Sequence, residues 1–129
     1  IMNKLKAIIF DYDGVIAESN KVKSNAYEKM YAKYGKKIAA KVMNHHKKNG
    51  GISRFKKFKL YHKMFLAEEI NNDKLNELCK QYSKIVVDGV INSPYVNGVY
   101  DFISNNYKNY DFFISTGTPT KEIMEILEK

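Results

Sequence analysis

Two short apolar runs, residues 6–10 (Lys-Ala-Ile-Ile-Phe) and 111–115 (Asp-Phe-Phe-Ile-Ser), each stop abruptly at a polar turn. Runs this short, rich in β-branched and aromatic residues and bounded by turn formers, read as buried strands. The first gives way to Asp11-Tyr12-Asp13-Gly14 and the second to Thr116-Gly117-Thr118-Pro119. Thr118 is placed to cap a helix that begins at Pro119 and carries Ile123, Met124 and Leu127 on its apolar face. Ahead of the second run, Pro94-Tyr95-Val96-Asn97-Gly98 leads into a helix bearing Val99, Phe102 and Ile103 that ends near residues 105–106. The order strand, helix, strand, helix predicts an α/β unit.

Everything between reads as helical. Val22, Ala26, Met30 and Tyr34 recur every four residues up to Gly35, which can end a helix. A second helix over residues 38–48 carries Ile38, Val42 and Met43 and stops at Asn49-Gly50-Gly51. Ser53 can cap a third, bearing Phe55, Phe58, Tyr61 and Phe65, and Asn72 can cap a fourth, bearing Leu75, Leu78, Tyr82 and Ile85. No internal repeat or low-complexity linker interrupts this stretch. The expected organisation is a core formed by residues 1–16 and 93–129, with a helical module, residues 17–92, inserted into it.

At 129 residues the chain has room for one compact domain or a small domain with an insert. Apolar residues at 44% and charged residues at 28% place it among globular chains and away from disordered ones. No apolar run is long enough to span a bilayer and the first residues lack a signal-peptide pattern, from which we expect a cytoplasmic protein. The lone Cys79 is spaced with Leu75, Leu78 and Tyr82 as a buried helical position. Charge is unevenly spread. Between Lys29 and Ala67 stand twelve Lys or Arg and no Asp or Glu, so this segment carries +12 and the remainder −4 of the net +8. Such a block concentrates anionic partners, presents a solvated face, or both.

Two carboxylates one residue apart at the end of a buried strand repel each other, and a cation resolves the conflict. Asp11, the backbone carbonyl of Asp13 and water suit Mg²⁺, which takes oxygen ligands and keeps water while binding phosphate. Gly14 permits the sharp turn that aims backbone N–H groups into the same space. An EF-hand loop is excluded, because Gly14 falls at loop position 4 and Val22 at position 12, where glutamate is needed. Ligands of open α/β sheets bind beyond the carboxyl ends of the strands, where Asp11 and Thr116 would both lie.

Ile8-Ile9-Phe10-Asp11-Tyr12-Asp13-Gly14-Val15 resembles motif I of the haloacid dehalogenase-like superfamily, and Phe113-Ile114-Ser115-Thr116-Gly117-Thr118-Pro119 resembles its motif II. The helical insert is similar to the cap of the phosphoglycolate phosphatase and β-phosphoglucomutase type. Gly51-Ile52-Ser53-Arg54 resembles the cap's substrate-specificity loop, and residues 93–98 resemble the segment that re-enters the core. The resemblance implies a partial Rossmann-like parallel sheet with an inserted α-helical cap. It also implies a Mg²⁺-dependent phosphatase in which Asp11 attacks phosphorus to form an aspartyl phosphate and Asp13 is general acid and base. Asp11 and Asp13 would hold the metal. Thr116, with backbone N–H groups around Tyr12, Asp13 and Gly117, would hold the phosphoryl oxygens. Gly51, Ser53 and Arg54 would select the substrate. Aspartate at position 13 argues for phosphoryl transfer over carbon–halogen cleavage, because only the former needs that proton shuttle.

The expected partner is a small phosphorylated metabolite such as a sugar phosphate or phosphoglycolate. A phosphomutase is the variant in which the aspartyl phosphate passes to a sugar hydroxyl. A non-catalytic basic module for nucleic acid or anionic membrane is the second-choice reading, with Phe and Tyr between residues 54 and 65 as a stacking platform. Arg54, the only arginine, is either a fork for the distal group of the substrate or a solvated helix start. His45 and His46 are adjacent and so do not pair on one helix face as metal ligands do, which leaves surface or substrate-side positions. The family's third and fourth motifs, a phosphate-steadying lysine and further metal-binding acids, cannot be assigned in the thirteen residues after Thr116. With Ile1 preceding Met2, this leads us to expect a truncated chain of poor activity.

Overall fold

The computed structural model describes residues 4–129. Positions 1–3 of the expected core segment, including the Ile1-Met2 junction, lie outside the described residues. Strands β1 (Ala7–Phe10) and β2 (Asp111–Ile114) pair in parallel, with Ala7 opposite Asp111 and Phe10 opposite Ile114. Main-chain bonds from Asp111 N to Lys6 O at 2.9 Å and from Ser115 N to Phe10 O at 2.8 Å extend the pairing at both ends. Both strands therefore end at the same level, which is what brings the two polar turns together. Alternation sets the faces. Phe10 and Phe112 pack edge to face at 5.4 Å, and Phe102 joins them from helix α5 (Val99–Asn106). Ile9 and Phe113 point the other way and are 69% and 55% exposed, which corrects the expectation of buried strands, because a two-stranded sheet is here covered on one face only. The fold is thus α/β, with a small parallel sheet and many helices.

Helices α1 (Asn20–Tyr31), α2 (Lys36–Lys48), α3 (Arg54–Leu66) and α4 (Asn72–Ile91) fill the middle of the chain, and α6 (Thr120–Leu127) follows β2. A 3₁₀ turn over Ala32–Tyr34 and Gly35 at φ +103° end α1 where the glycine predicted it. The caps follow side-chain chemistry. Ser53 accepts from Lys56 N, while Asn71, rather than the expected Asn72, accepts from Lys74 N at 2.8 Å. Either asparagine has the necessary carbonyl, and the one that remains extended outside the helix takes the role. The fully buried face of α1 keeps Ala26 of the predicted stripe and otherwise lies one position on from it. Tyr27 and Tyr31 are inside, and Val22 and Met30 sit at the margin.

Tyr27 is the hub, with Tyr82 at 4.5 Å, Phe58 at 5.4 Å and Tyr61 at 5.7 Å between ring centroids. A glycine lets α1 and α4 come this close. A Cβ at Gly89 would stand 2.5 Å from Val22 Cγ1, so the helix tolerates a residue that costs roughly 1 kcal/mol in its interior. Phe58 and Tyr61 being inside also empties the stacking platform considered from the sequence, of which only Phe55 is well exposed.

The two chain crossings between the helical stretch and the sheet run side by side. Glu18 N donates to Pro94 O and Val96 N to Ile16 O, each at 2.9 Å. In addition α6 packs on α4, so the helices also meet the α/β part away from the crossings. None of the described helices is long and apolar enough to cross a membrane. Phe58→Ala should lower the unfolding free energy in urea by about 3–5 kcal/mol. The same truncation at the 44%-exposed Phe55 should cost under about 1 kcal/mol, and equal losses would contradict this assignment of the core.

Candidate active site

After Phe10 the chain doubles back within seven residues. Tyr12 O accepts from Val15, Ile16 and Ala17 N, and Gly14 N donates to Ala17 O at 2.7 Å. Gly14 sits at φ +77°, a backbone conformation that L side chains rarely adopt, so the turn requires glycine. The Tyr12 ring is buried beneath the turn, which anchors it and leaves the carboxylates on either side free to face outward.

The two acids are held differently. Asp11 Oδ1 accepts from the N–H of Tyr12 at 2.7 Å, which fixes its orientation on the exposed side of the turn. That N–H, predicted to hold phosphate, is thus engaged by the neighbouring carboxylate. Asp13 Oδ1 accepts from Ser19 Oγ at 2.6 Å, and Asp13 Oδ2 is ion-paired with the Lys23 ammonium. Lys23 Nζ also donates to Thr118 Oγ1 at 2.9 Å, and Thr118 N donates to Thr116 Oγ1 at 3.2 Å. One lysine therefore ties the turn after β1 to the turn after β2. It also corrects the expected cap, because Thr118 faces Lys23, and α6 instead starts at Thr120, after Pro119, without a side-chain cap.

A cavity of about 340 Å³ opens above these turns. Asp11, Asp13, Thr116 and Gly117 line one end, and Gly51, Ser53 and Arg54 reach it from the loop into α3. Of the eight residues given a catalytic, phosphate-binding or substrate-selecting role in the sequence, Tyr12, buried under the turn, is the one that does not line it. Asn20, Lys23, Tyr27, His46, Lys57 and Tyr82 also line it, and of these the sequence reading named only His46 as substrate-side. Lysines number 21 in this chain, so nothing in the sequence distinguishes Lys23 or Lys57 from a solvated neighbour.

Arg54 corrects one of its two readings, because it is not a solvated helix start. It is 8% exposed, and its Nη1 and Nη2 donate to Glu122 Oε2 and Oε1 at 2.7 and 2.8 Å. Ser83 Oγ bonds to both partners, and the guanidinium lies over Tyr82 at 4.6 Å. Burial raises the Glu122 carboxyl, but the hydrogen bonds from Arg54 and Ser83 and the guanidinium charge outweigh it and hold it below the usual range. The fork that the sequence offered to a substrate is filled by a glutamate of α6. A glutamate in a first helical turn reads as a complement to the helix dipole, which is why this partner was not foreseen.

Also lining the cavity, Lys57 Nζ lies 2.9 Å from His46 Nδ1. Burial, reinforced by Lys57 and Lys23, pulls the His46 imidazole down to about 4, so it is neutral. Burial, with Lys23 adding, draws the Lys57 ammonium down to about 8, still mainly protonated near neutral pH. His45 turns away to bond the Tyr61 hydroxyl at 3.1 Å.

For a metal, the donors are hard oxygens of Asp11 and Asp13. No cluster of three or more His, Cys, Asp or Glu able to hold a metal occurs among the described residues. Two aspartates without a closed protein shell fit a cation that retains water, as Mg²⁺ does, and not one that needs a full set of protein ligands.

The sequence model of the haloacid dehalogenase-like hydrolases matches residues 8–129. Among solved structures, a HAD hydrolase of family IA, variant 3, from Entamoeba histolytica aligns with a TM-score of 0.72 at 14% identity, covering 97% of this chain and 55% of that one. A putative HAD-hydrolase from Bacillus subtilis, described as bound to magnesium and as revealing interdomain movement, aligns at 0.65 with 16% identity, covering 98% and 60%. A hydrolase from Pseudomonas syringae aligns at 0.57 with 13% identity, covering 95% and 53%. At these identities the likeness is one of fold, and the chain spans little more than half the length of these structures. No curated protein matches the chain.

The displaced His46 value has a consequence for stability. The folded form binds this proton less readily than the unfolded chain, so the contribution is complete above the ordinary 6.5 and fades as pH falls toward about 4. Urea unfolding at about pH 7 and about pH 5 should show a loss on acidification that is smaller in His46→Asn. An equal loss in both would contradict the burial of a neutral imidazole.

Proposed function

The chain belongs to the haloacid dehalogenase-like hydrolases, and from that premise we propose that the protein carrying it is a Mg²⁺-dependent phosphatase that acts on a small phosphorylated metabolite through an aspartyl phosphate. The observation that carries this reading is the convergence of Asp11, Asp13, Thr116 and Gly117 on one cavity walled by basic residues. A reaction at phosphorus needs a nucleophile, a proton donor for the leaving oxygen and donors for the phosphoryl oxygens, and these groups supply all three.

Asp11 is the nucleophile. Its Oδ1 is held by the Tyr12 amide, which leaves Oδ2 to attack phosphorus. Asp13, entering the reaction in its protonated form, gives that proton to the departing alkoxide, and the carboxylate this leaves takes one from the water that hydrolyses the aspartyl phosphate. Ser19 and Lys23 keep its carboxylate turned toward the turn after β2. The Thr116 hydroxyl and the Gly117 amide bind the phosphoryl oxygens, with the Lys23 charge close by through Thr118. Mg²⁺, held by the Asp11 carboxylate and the Asp13 backbone carbonyl, would offset phosphate charge when bound. In this reading residues 1–16 and 93–129 form the core and residues 17–92 the cap. The side-by-side crossings at Ala17 and Tyr95 are then the natural place for one to move on the other.

Phosphate release from a panel of phosphorylated metabolites should require Mg²⁺ and be abolished by EDTA. Asp13→Asn should lower turnover about 10²- to 10⁴-fold and Asp11→Asn at least as much, whereas losses within about twofold for both would remove this assignment.

A further inference from the structure

Ten of the twelve basic residues between Lys29 and Ala67 are exposed, and the two that turn inward are Arg54 and Lys57. Both line the cavity, as does Lys23. Lys23 is matched by Asp13 and Arg54 by Glu122. Lys57 is 2% exposed, yet no carboxylate of the described residues stands within ion-pairing distance of it. Its hydrogen-bond partner is the neutral His46 ring, and the Tyr27 ring lies 5.9 Å from its ammonium. A buried ammonium without a counter-ion is costly, and a neutral acceptor and a ring face recover only part of that cost. The lowered Lys57 value records the same imbalance. Since the ammonium donates to Nδ1, His46 carries its proton on Nε2, so the pair presents donors and no acceptor to an incoming group.

We propose that Lys57, oriented by His46, is the specificity-determining group for a second anion on the substrate. The preferred substrates are then small phosphomonoesters whose leaving group carries a carboxylate or second phosphate, rather than esters of neutral alcohols or sugars. This rests on the phosphatase reading above, in which the aspartate end of the same cavity takes the reacting phosphoryl group. The substrate anion supplies the charge that Lys57 lacks, while Arg54 remains with Glu122. In binding terms, a charged hydrogen bond to a buried ammonium distinguishes the charged tail from the neutral one.

Three three-carbon probes separate the cases: glycerol 3-phosphate with a neutral tail, 3-phosphoglycerate with a carboxylate, and 1,3-propanediol bisphosphate with a phosphate. Wild-type kcat/KM should favour at least one anionic tail over the neutral one by about 10- to 100-fold, mainly through KM, and Lys57→Met should bring the ratio close to one. The better anionic probe identifies which second anion is read. The same substitution should raise Tm, because it removes a buried charge that has no counter-ion. A ratio unchanged by Lys57→Met, or no preference in wild type, overturns the proposal. So does a lower Tm with all three probes affected equally, which is the mark of a structural lysine.

Should none of the probes be hydrolysed, the phosphatase reading fails at the chemical step, and calorimetric binding of the same probes to Asp11→Asn then decides the anion site separately. Tighter binding of an anionic-tail probe that disappears in Asp11→Asn/Lys57→Met upholds it, and equal binding of all three ends it.

Discussion

Placing two aspartates at the end of a strand sets a problem that the surrounding structure answers, namely the repulsion of like charges in a partly dry turn. Part of the answer lies inside the chain. Lys23 reaches from the first turn of α1 to Asp13 and on to Thr118, so the ammonium that lowers the repulsion also joins the two polar turns. The parallel pairing of β1 with β2 makes this possible, since strands of equal length in parallel register end together. Gly14 is required by the same geometry, because the turn passes through a positive φ of 77° there. Strand register, glycine turn and lysine bridge are thus one solution seen at three scales. Asp11, which has no ion-pair partner among the described residues, remains as the group turned to the cavity.

A second charge pair closes the other side. Arg54 at the start of α3 and Glu122 in the first turn of α6 are both buried and form a two-point contact, with Ser83 bonding to each. Breaking such a pair by removing one member typically costs about 3–5 kcal/mol, because the survivor is left charged and dry. The contact links the helical stretch to the α/β part at a distance from the backbone crossings. Residues of both linkages line one cavity, together with Asp11 and Lys57. Lys23, Arg54 and Lys57 all line it, and positive charge gathered in one cleft raises the local concentration of anionic ligands.

Much of this was legible in the sequence because it depended on local pattern. The two strands, the turns behind them, the positions of the helices and the burial of Cys79, Leu75 and Tyr82 follow from periodicity and from Gly, Ser and Asn at the element ends. Asp11, Asp13, Thr116 and Gly117 could be placed together because strand ends in an α/β unit meet at one edge. The side chains that complete the site could not be found this way. Lys23, Lys57 and Glu122 belong to abundant residue types at unremarkable positions on amphipathic helices, and only tertiary packing shows that they turn inward. Arg54 was noticed for its rarity, but its partner lies 68 residues away in a helix that sequence alone does not bring near. On α1 likewise, Tyr27 and Tyr31 are inside because α3 and α4 supply aromatic partners for them, which the apolar repeat of α1 does not reveal.

The central claim is that the carboxylate of Asp11 receives the phosphoryl group within reach of Thr116. Beryllium fluoride imitates an aspartyl phosphate without needing turnover, which makes fluorine NMR the direct measurement. With Mg²⁺ present, the wild-type protein should give bound-fluoride resonances that disappear in Asp11→Asn and shift in Thr116→Val. Bound resonances that persist unchanged in Asp11→Asn would place the phosphoryl site elsewhere and contradict the account.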